Sequence, residues 1–91
     1  MAHQLILSGK VQGVFCRDYC RQHARRMGLG GAATNLSDGR VQVIIEADDQ
    51  DLLELYQKNL ITNDYGFRFF GKIDNIEIQP YSGTVTGDYI F

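Results

Sequence analysis

The segment from Gly9 to Arg17 holds the residues best suited to chemistry, and it reads G-K-V-Q-G-V-F-C-R. Its glycines, at positions 9 and 13, allow the backbone to curl so that several N–H groups converge. Arg17 adds a planar, permanently charged guanidinium that can pair with two oxygens at once. A helix starting here would add the positive end of its dipole. Together these features predict a site for a phosphate group, bound without a metal.

Periodicity predicts the elements that flank this loop. Leu5 to Ser8 has the mixed alternation of a short strand. From Cys16 onwards the apolar side chains recur at positions 16, 19, 20, 24 and 27, which is the spacing of one helical face. Gly28 is a typical residue at which such a helix ends. The predicted anion loop therefore joins a strand to the N-terminus of a helix.

Further elements are predicted downstream of Gly28. A strand covers residues 32–36, the turn Ser37-Asp38-Gly39 follows, and a cleanly alternating strand covers residues 40–46. Asp48 or Asp49 can cap a second helix, whose buried stripe is predicted to be Leu52, Leu55, Tyr56 and Leu60. Residues 62–71 form an aromatic loop, residues 73–79 form a strand that ends at Pro80, and residues 88–91 could add a short edge strand.

This order of elements predicts an α+β fold. Strand, helix, strand, strand, helix, strand (βαββαβ) is the ferredoxin-like split βαβ arrangement, an alpha/beta sandwich. Two helices would lie on one face of a four- to five-stranded antiparallel sheet. The chain has 91 residues, 44% of them hydrophobic, which is enough for one core. We therefore expect residues 1–91 to form a single domain.

Charge is unevenly distributed along the chain, although its net value is only −2. Residues 10–40 contain six Lys and Arg against two acids, whereas residues 41–91 contain three against nine. A local positive field attracts a small anion, while the acidic half argues against nucleic acid as a partner. A solvated arginine face on the first helix is the alternative explanation. Short apolar runs, no basic leader segment and two cysteines predict a cytoplasmic protein without a membrane partner.

Two motifs, in order and at matching spacing, resemble the acylphosphatase family. The first is Gly9-x-Val11-Gln12-Gly13-Val14-x-x-Arg17. The second begins with Gly28-Leu29-x-Gly31 and continues with Asn35-Leu36-x-Asp38-Gly39-Arg40-Val41. The resemblance is dense over residues 5–47 and thins to similarity of fold afterwards. Because two spaced motifs match together, the signal is more specific than a lone glycine loop.

The resemblance implies a hydrolase that cleaves the carboxyl-phosphate bond of small acyl phosphates, giving a carboxylate and inorganic phosphate. It makes Arg17 and Asn35 the catalytic residues, with Arg17 pairing with phosphate oxygens and Asn35 holding the attacking water. An amide suits that task because it both donates and accepts hydrogen bonds. The family needs no cofactor or metal, and we expect a monomer. The alternative is a non-catalytic module that binds a phosphorylated ligand or a protein. By the same resemblance, the phosphate-binding residues are Gln12, Gly13, Val14, Phe15, Cys16 and Arg17.

Four other patterns have competing interpretations. Cys16, at a helix N-terminus beside an arginine, could be prone to oxidation, but a small core residue is the favoured interpretation. Cys16, Cys20 and His23 share a helical face at metal-ligand spacing, yet that face is also the core stripe. Cys20 and Arg26 have the spacing of cysteine-dependent phosphatases, but no glycine loop surrounds them. The aromatic run from Tyr65 to Phe70 resembles an RNA-binding strand, although closure of the core is favoured.

Overall fold

The computed structural model describes residues 2–91 and has the predicted ferredoxin-like arrangement. Both helices pack against one antiparallel sheet, in which the strand order is β4-β1-β3-β2-β5. No helix within residues 2–91 is long and apolar enough to cross a membrane. The elements are β1 (Ala2–Lys10), α1 (Cys16–Arg26), β2 (Gly31–Asn35), β3 (Val41–Ile45), α2 (Gln50–Thr62), β4 (Lys72–Tyr81) and β5 (Tyr89–Ile90).

Strand β1 is longer than predicted and includes Gly9, the first glycine of the predicted phosphate-binding segment. Gly9 lies within β1, at a bulge in its pairing with β4, and has a φ of 128°. A Cβ at this position would overlap the carbonyl oxygen of Lys72. The prediction that this glycine curls the anion loop is therefore wrong, because it is needed for close approach between two strands.

The helices are joined to each other by tyrosine hydroxyl groups in the core. Tyr19 of α1 donates to the carbonyl oxygen of Leu60 at 2.6 Å, and Tyr56 of α2 donates to the carbonyl oxygen of Cys20 at 2.9 Å. Each hydroxyl is fully buried and would be costly to leave without an acceptor. These reciprocal bonds fix how the two helices are rotated about their axes.

That rotation corrects the predicted stripe of α2. Tyr56 and Leu60 are buried as predicted, but the third apolar side chain in the core is Leu53. Leu52 and Leu55 are 37% and 45% exposed. Leu53, Tyr56 and Leu60 follow the three- and four-residue spacing of a single face, from which Leu52 is displaced by one position. The helix begins where expected, because Asp49 accepts hydrogen bonds from the N–H groups of residues 51 and 52.

Strand β4 continues through Pro80 to Tyr81, so the prediction that Pro80 ends it is wrong. Because β4 is the edge strand of the sheet, its outer side has no neighbouring strand that would need the missing N–H group. At the opposite edge, the short strand predicted near the C-terminus is confirmed as β5. It pairs with β2 through Ala32 and Ala33.

Candidate active site

The loop between β1 and α1 prepares the start of the helix for an anion. Gly13 has a φ of 73°, and Phe15, at the N-cap, is held in the left-handed region with a φ of 66°. No described side chain caps the helix. The first-turn N–H groups of α1 therefore remain available, at the positive end of the helix dipole. Arg17 lies in this first turn.

Gln12 connects the loop to the turn between β2 and β3. Its side-chain Nε2 donates to the carbonyl oxygens of Leu36, at 2.6 Å, and Arg40, at 2.9 Å. The same turn is closed by a bond from the N–H of Leu36 to the carbonyl oxygen of Arg40. Asn35 ends β2 directly before this turn. Gln12 thereby holds the segment that carries Asn35 beside the segment that carries Arg17.

A cavity of about 540 Å³ lies at this junction, and it brings both predicted catalytic residues together. Gln12 and Val14 are not among its lining residues, because the Gln12 amide is bound to the turn and Val14 is buried in the core. Any part these two residues play in binding phosphate must come from the backbone. The lining residues are Val11, Gly13, Phe15, Cys16, Arg17, Asp18, Asn35, Arg68 and Tyr89.

A carboxylate from the far end of the chain lies between the two predicted catalytic residues. Asp88 Oδ2 accepts a hydrogen bond from the backbone N–H of Asn35 at 3.2 Å and lies 3.5 Å from Nη1 of Arg17. The N–H of Asp88 donates to Oγ1 of Thr34. Both side chains of the Arg17–Asp88 pair are well exposed, so their attraction is weakened by water. Arg17 is therefore oriented without being fully neutralised.

Asp18, the carboxylate that lines the cavity, is fully engaged by its neighbours. Tyr89 donates to it at 2.8 Å, and the Arg21 and Gln22 side chains donate from the next turn of α1. Burial alone would raise the pKa of Asp18, but the hydrogen bonds from Arg21, Tyr89 and Gln22 lower it below its ordinary value. A carboxylate held in this ionised state fastens β5 to α1 and is poorly suited to accept a proton.

Sequence reasoning missed Arg68, Asp88 and Tyr89 as site residues. Arg68 lies 4.2 Å from the centre of the Phe15 ring, measured from its Cζ, and Phe70 packs edge-on against the same ring. No motif marked these positions, because they reach the cavity only through the pairing of β5 and the path of the loop after α2. The excess of aromatic residues in that loop was the one available signal.

The prediction that these aromatic residues close the core is half right. Phe67 and Phe69 pack against the core, and Phe69 stacks on Tyr19 at 4.4 Å between ring centres. Tyr65 and Phe70 are exposed, with Phe70 at 64%. The chain here runs irregularly between α2 and β4, so the middle two rings face the core and the outer two face solvent. Phe70 thus packs on the exposed ring of Phe15, which lines the cavity, instead of in the core.

The cysteines and His23 of α1 belong to the core, in agreement with the packing interpretation. Cys16, Cys20 and His23 are almost completely buried. The Sγ atoms of the two cysteines are 3.9 Å apart, and hydrogen bonding with Cys16 together with burial raises the pKa of Cys20 well above its ordinary value. Within residues 2–91, no group of three His, Cys, Asp or Glu side chains is arranged to hold a metal ion. Cys20 and Arg26 both lie within the regular helix α1.

A model of the acylphosphatase family matches residues 3–87. The chain belongs to the acylphosphatase family. It is 52% identical over 52 residues to an acylphosphatase of Frankia casuarinae and 45% identical over 53 residues to one of Marinobacter nauticus. These stretches cover 54% and 58% of the chain. The chain spans a little over half of each relative's length, 58% in both cases.

Two solved structures support the fold of the chain over nearly its full length. The crystal structure of acylphosphatase from Bacillus subtilis superposes with a TM-score of 0.75 at 22% identity, covering 99% of this chain and 98% of that one. An acylphosphatase structure from Coxiella burnetii gives a TM-score of 0.70 at 24% identity, covering 94% and 87%. The predicted family and fold are therefore confirmed.

Proposed function

We propose that this chain hydrolyses small acyl phosphates to a carboxylate and inorganic phosphate. The observation that carries the proposal is the meeting of Arg17 and Asn35 at one cavity, beside a helix N-terminus that no described side chain caps. Membership of the acylphosphatase family supports the same reaction. The comparisons do not favour the alternative, a non-catalytic module.

The phosphoryl group is bound by backbone N–H groups of residues 12–17 and by the Arg17 guanidinium. These donors stabilise the charge that the equatorial oxygens carry in the transition state. The Asn35 side chain orients a water molecule for attack on phosphorus. The bond from the water oxygen to phosphorus forms, and the bond from phosphorus to the acyl oxygen breaks with its electron pair. The acyl group leaves as a carboxylate, and the protons of the water pass to phosphate oxygens and to solvent.

The reaction makes modest demands on acid–base catalysis. A carboxylate is a stable leaving group and needs no protein acid, while the phosphoryl oxygens of the substrate can accept a proton from the attacking water. Asp18, the carboxylate nearest to the helix start, is held ionised by its own hydrogen bonds. Positioning and neutralisation of charge are therefore the contributions of this site.

We also propose a domain organisation, an oligomeric state, a location and partners for the protein. We propose a single domain over residues 1–91 that acts as a monomer in the cytoplasm, with small acyl phosphates and inorganic phosphate as its partners. The small size of the cavity supports a small-molecule substrate. The acidic character of residues 41–91 supports the absence of nucleic acid, since a polyanion would be repelled there.

Hydrolysis of benzoyl phosphate tests the reaction. We expect Arg17→Ala and Asn35→Ala each to lower kcat/KM by about 10² to 10³, as when other transition-state donors are lost. Arg25→Ala is the matched control, because Arg25 is exposed on the same helix and lies outside the cavity. Folding of each variant is checked by circular dichroism. An inactive parent, or a parent whose rate neither substitution changes, would refute the proposal.

A further inference from the structure

The cavity contains a second arginine that the reaction as described does not use. Arg68 comes from the loop between α2 and β4, whereas Arg17 belongs to α1. The neighbouring carboxylates have other partners: Asp18, which lines the cavity, is bound by Arg21, and Asp88 faces Arg17. Within residues 2–91, Arg68 forms no ion pair, and its side chain lies over the ring of Phe15. The cavity therefore offers a positive charge that no protein carboxylate offsets.

The backbone on either side of Arg68 is fixed against the body of the protein. The Asn63 side chain both donates to the carbonyl oxygen of Phe67 and accepts from its N–H group, at 2.8 and 3.0 Å. The N–H of Phe70 donates to the carbonyl oxygen of Val14 at 3.2 Å, which joins this loop directly to the phosphate loop. Arg68 thus projects from a short segment held at both ends. Its place beside Phe15 follows from the fold.

A guanidinium stacked on an aromatic ring is prepared to bind an anion in the plane of its N–H groups. Stacking covers one face of the group, and the N–H donors at its edge remain free for a carboxylate. Phe15 lies at the N-cap of α1 and lines the cavity together with Arg68, so the Arg68 charge lies close to the helix start. A substrate whose phosphate occupies the helix start would extend its acyl portion past Phe15 toward Arg68.

We infer that Phe15 and Arg68 form a subsite for the acyl portion and that Arg68 selects acyl groups carrying a second anion. The preferred substrates are then monoacyl phosphates of dicarboxylic acids, in which the distant carboxylate pairs with Arg68. This inference rests on the proposed function, because it extends the same cavity from the reacting phosphate to the leaving group.

Matched substrates test the inference directly. Succinyl phosphate and glutaryl phosphate carry the second carboxylate, whereas butyryl phosphate and valeryl phosphate have similar length without it. We expect Arg68→Ala to lower kcat/KM for the charged pair about tenfold and for the neutral pair less than about twofold. Arg68→Lys should retain part of the preference, because it keeps the charge but loses the planar fork. Arg25→Ala is again the control and should change neither pair.

The possible results distinguish failure of the acyl subsite from failure of the proposed hydrolase activity. If Arg68→Ala lowers kcat/KM equally for charged and neutral substrates, Arg68 acts on the phosphate. If it lowers kcat/KM for neither, Arg68 has no role in binding the substrate. Both results overturn the inference and leave the proposed hydrolase activity unaffected. A protein that hydrolyses none of these compounds contradicts the proposed function. Binding then tests the subsite alone, by calorimetry with a ketophosphonate that bears a distal carboxylate and with its uncharged counterpart. Arg68→Ala should abolish the preference for the carboxylate, and absence of that preference in the parent overturns the inference.

Discussion

At the scale of single residues, the site is distinguished by what each arginine contacts. Arg21 is bound to Asp18 at 2.8 Å, Arg17 lies 3.5 Å from an exposed carboxylate, and Arg68 rests on a ring. Arg21 therefore has a structural role, whereas Arg17 and Arg68 retain N–H donors that can bind a ligand. All three arginines carry the same charge. Whether one of them can bind a ligand therefore depends on what its side chain already contacts.

Asp88 gives a prediction at this scale. Its carboxylate lies beside Arg17, so it competes with phosphate for the same positive charge. We expect Asp88→Asn to lower the inhibition constant of inorganic phosphate several-fold, because a neighbouring negative charge is removed while an oxygen that can accept from Asn35 remains. The difference should shrink as salt is added, since both groups are exposed.

The measurement is competitive inhibition of acyl phosphate hydrolysis at low and high ionic strength. Asp64→Asn makes the same chemical change at an exposed position outside the cavity and should leave the constant unaltered. Weaker phosphate binding in Asp88→Asn would show that the carboxylate serves mainly to position Arg17.

At the level of residues, local sequence signals identified Arg17 and Asn35, and their catalytic roles stay predictions. Arg17 and Asn35 lie in motifs whose glycines and turn residues mark them, and the structure places both at one cavity. Arg68, Asp88 and Tyr89 carry no such mark, because tertiary pairing alone brings them there. The charge pattern was also only partly informative. It placed the site in the basic half, yet these three residues come from the acidic half.

At the scale of elements, the cavity depends on how closely the loop after α2 approaches the loop before α1. Gly71 lies at this contact, where a Cβ would overlap the carbonyl oxygen of Lys10 and lie 2.6 Å from Cγ2 of Val14. One of these neighbours is backbone and cannot easily move. The absence of a side chain at Gly71 therefore sets the distance between the segments that carry Arg68 and Phe15.

Substitution of Gly71 by alanine should separate these two segments. We expect Gly71→Ala to lower the free energy of unfolding by about 1 to 3 kcal/mol, as overpacking does elsewhere, and to lower kcat/KM as well. Gly30→Ala is the matched control, because the nearest atoms to its Cβ would be the carboxylate end of the exposed Glu46 side chain, which can move aside. Urea unfolding and hydrolysis are measured on both variants. Equal stability of the two would show that the loops can part without consequence.

The type and order of the helices and strands were predictable from the sequence, but their first and last residues were less so. The turn Ser37-Asp38-Gly39 and the cap at Asp49 were read correctly, because each depends on a few adjacent residues. The length of β4 and the buried face of α2 were not. Pro80 is tolerated because β4 is an edge strand, and Leu53 is buried because the tyrosine hydroxyl bonds rotate α2. Both causes lie outside the segment concerned.

At the scale of the whole molecule, one buried group links stability to pH. His23 is completely buried, and neither ring nitrogen has a hydrogen-bond partner within the described part of the chain. Its ring meets those of Tyr19 and Phe67 edge-on, at 4.7 and 4.8 Å between centres. Burial lowers the pKa of His23 below the ordinary 6.5; the Asn63 side chain opposes this shift, and the positive charge of Arg26 adds to it.

The sign of the effect follows from this shift. The folded protein disfavours a proton that the unfolded chain binds near pH 6.5, so the free energy of unfolding should fall as the pH drops below that value. We expect His23→Phe, which keeps an aromatic ring in the cluster, to weaken this dependence. Urea unfolding at about pH 7.5 and about pH 5.5 measures it. His3 is present in both proteins, so an unchanged slope in His23→Phe would exclude His23 as the cause.

The distance along the chain between the two walls of the cavity has a consequence for folding. Arg17 contacts Asp88, and Asp18 contacts Tyr89, and each pair is 71 positions apart in the sequence. Both contacts depend on the pairing of the two-residue strand β5. Closing so large a loop costs chain entropy before any contact compensates for it. A refolding chain would therefore gain its helices and central strands before this wall is complete. Catalytic geometry is then completed only when the two-residue strand β5 has paired, and fraying of β5 is enough to disturb it.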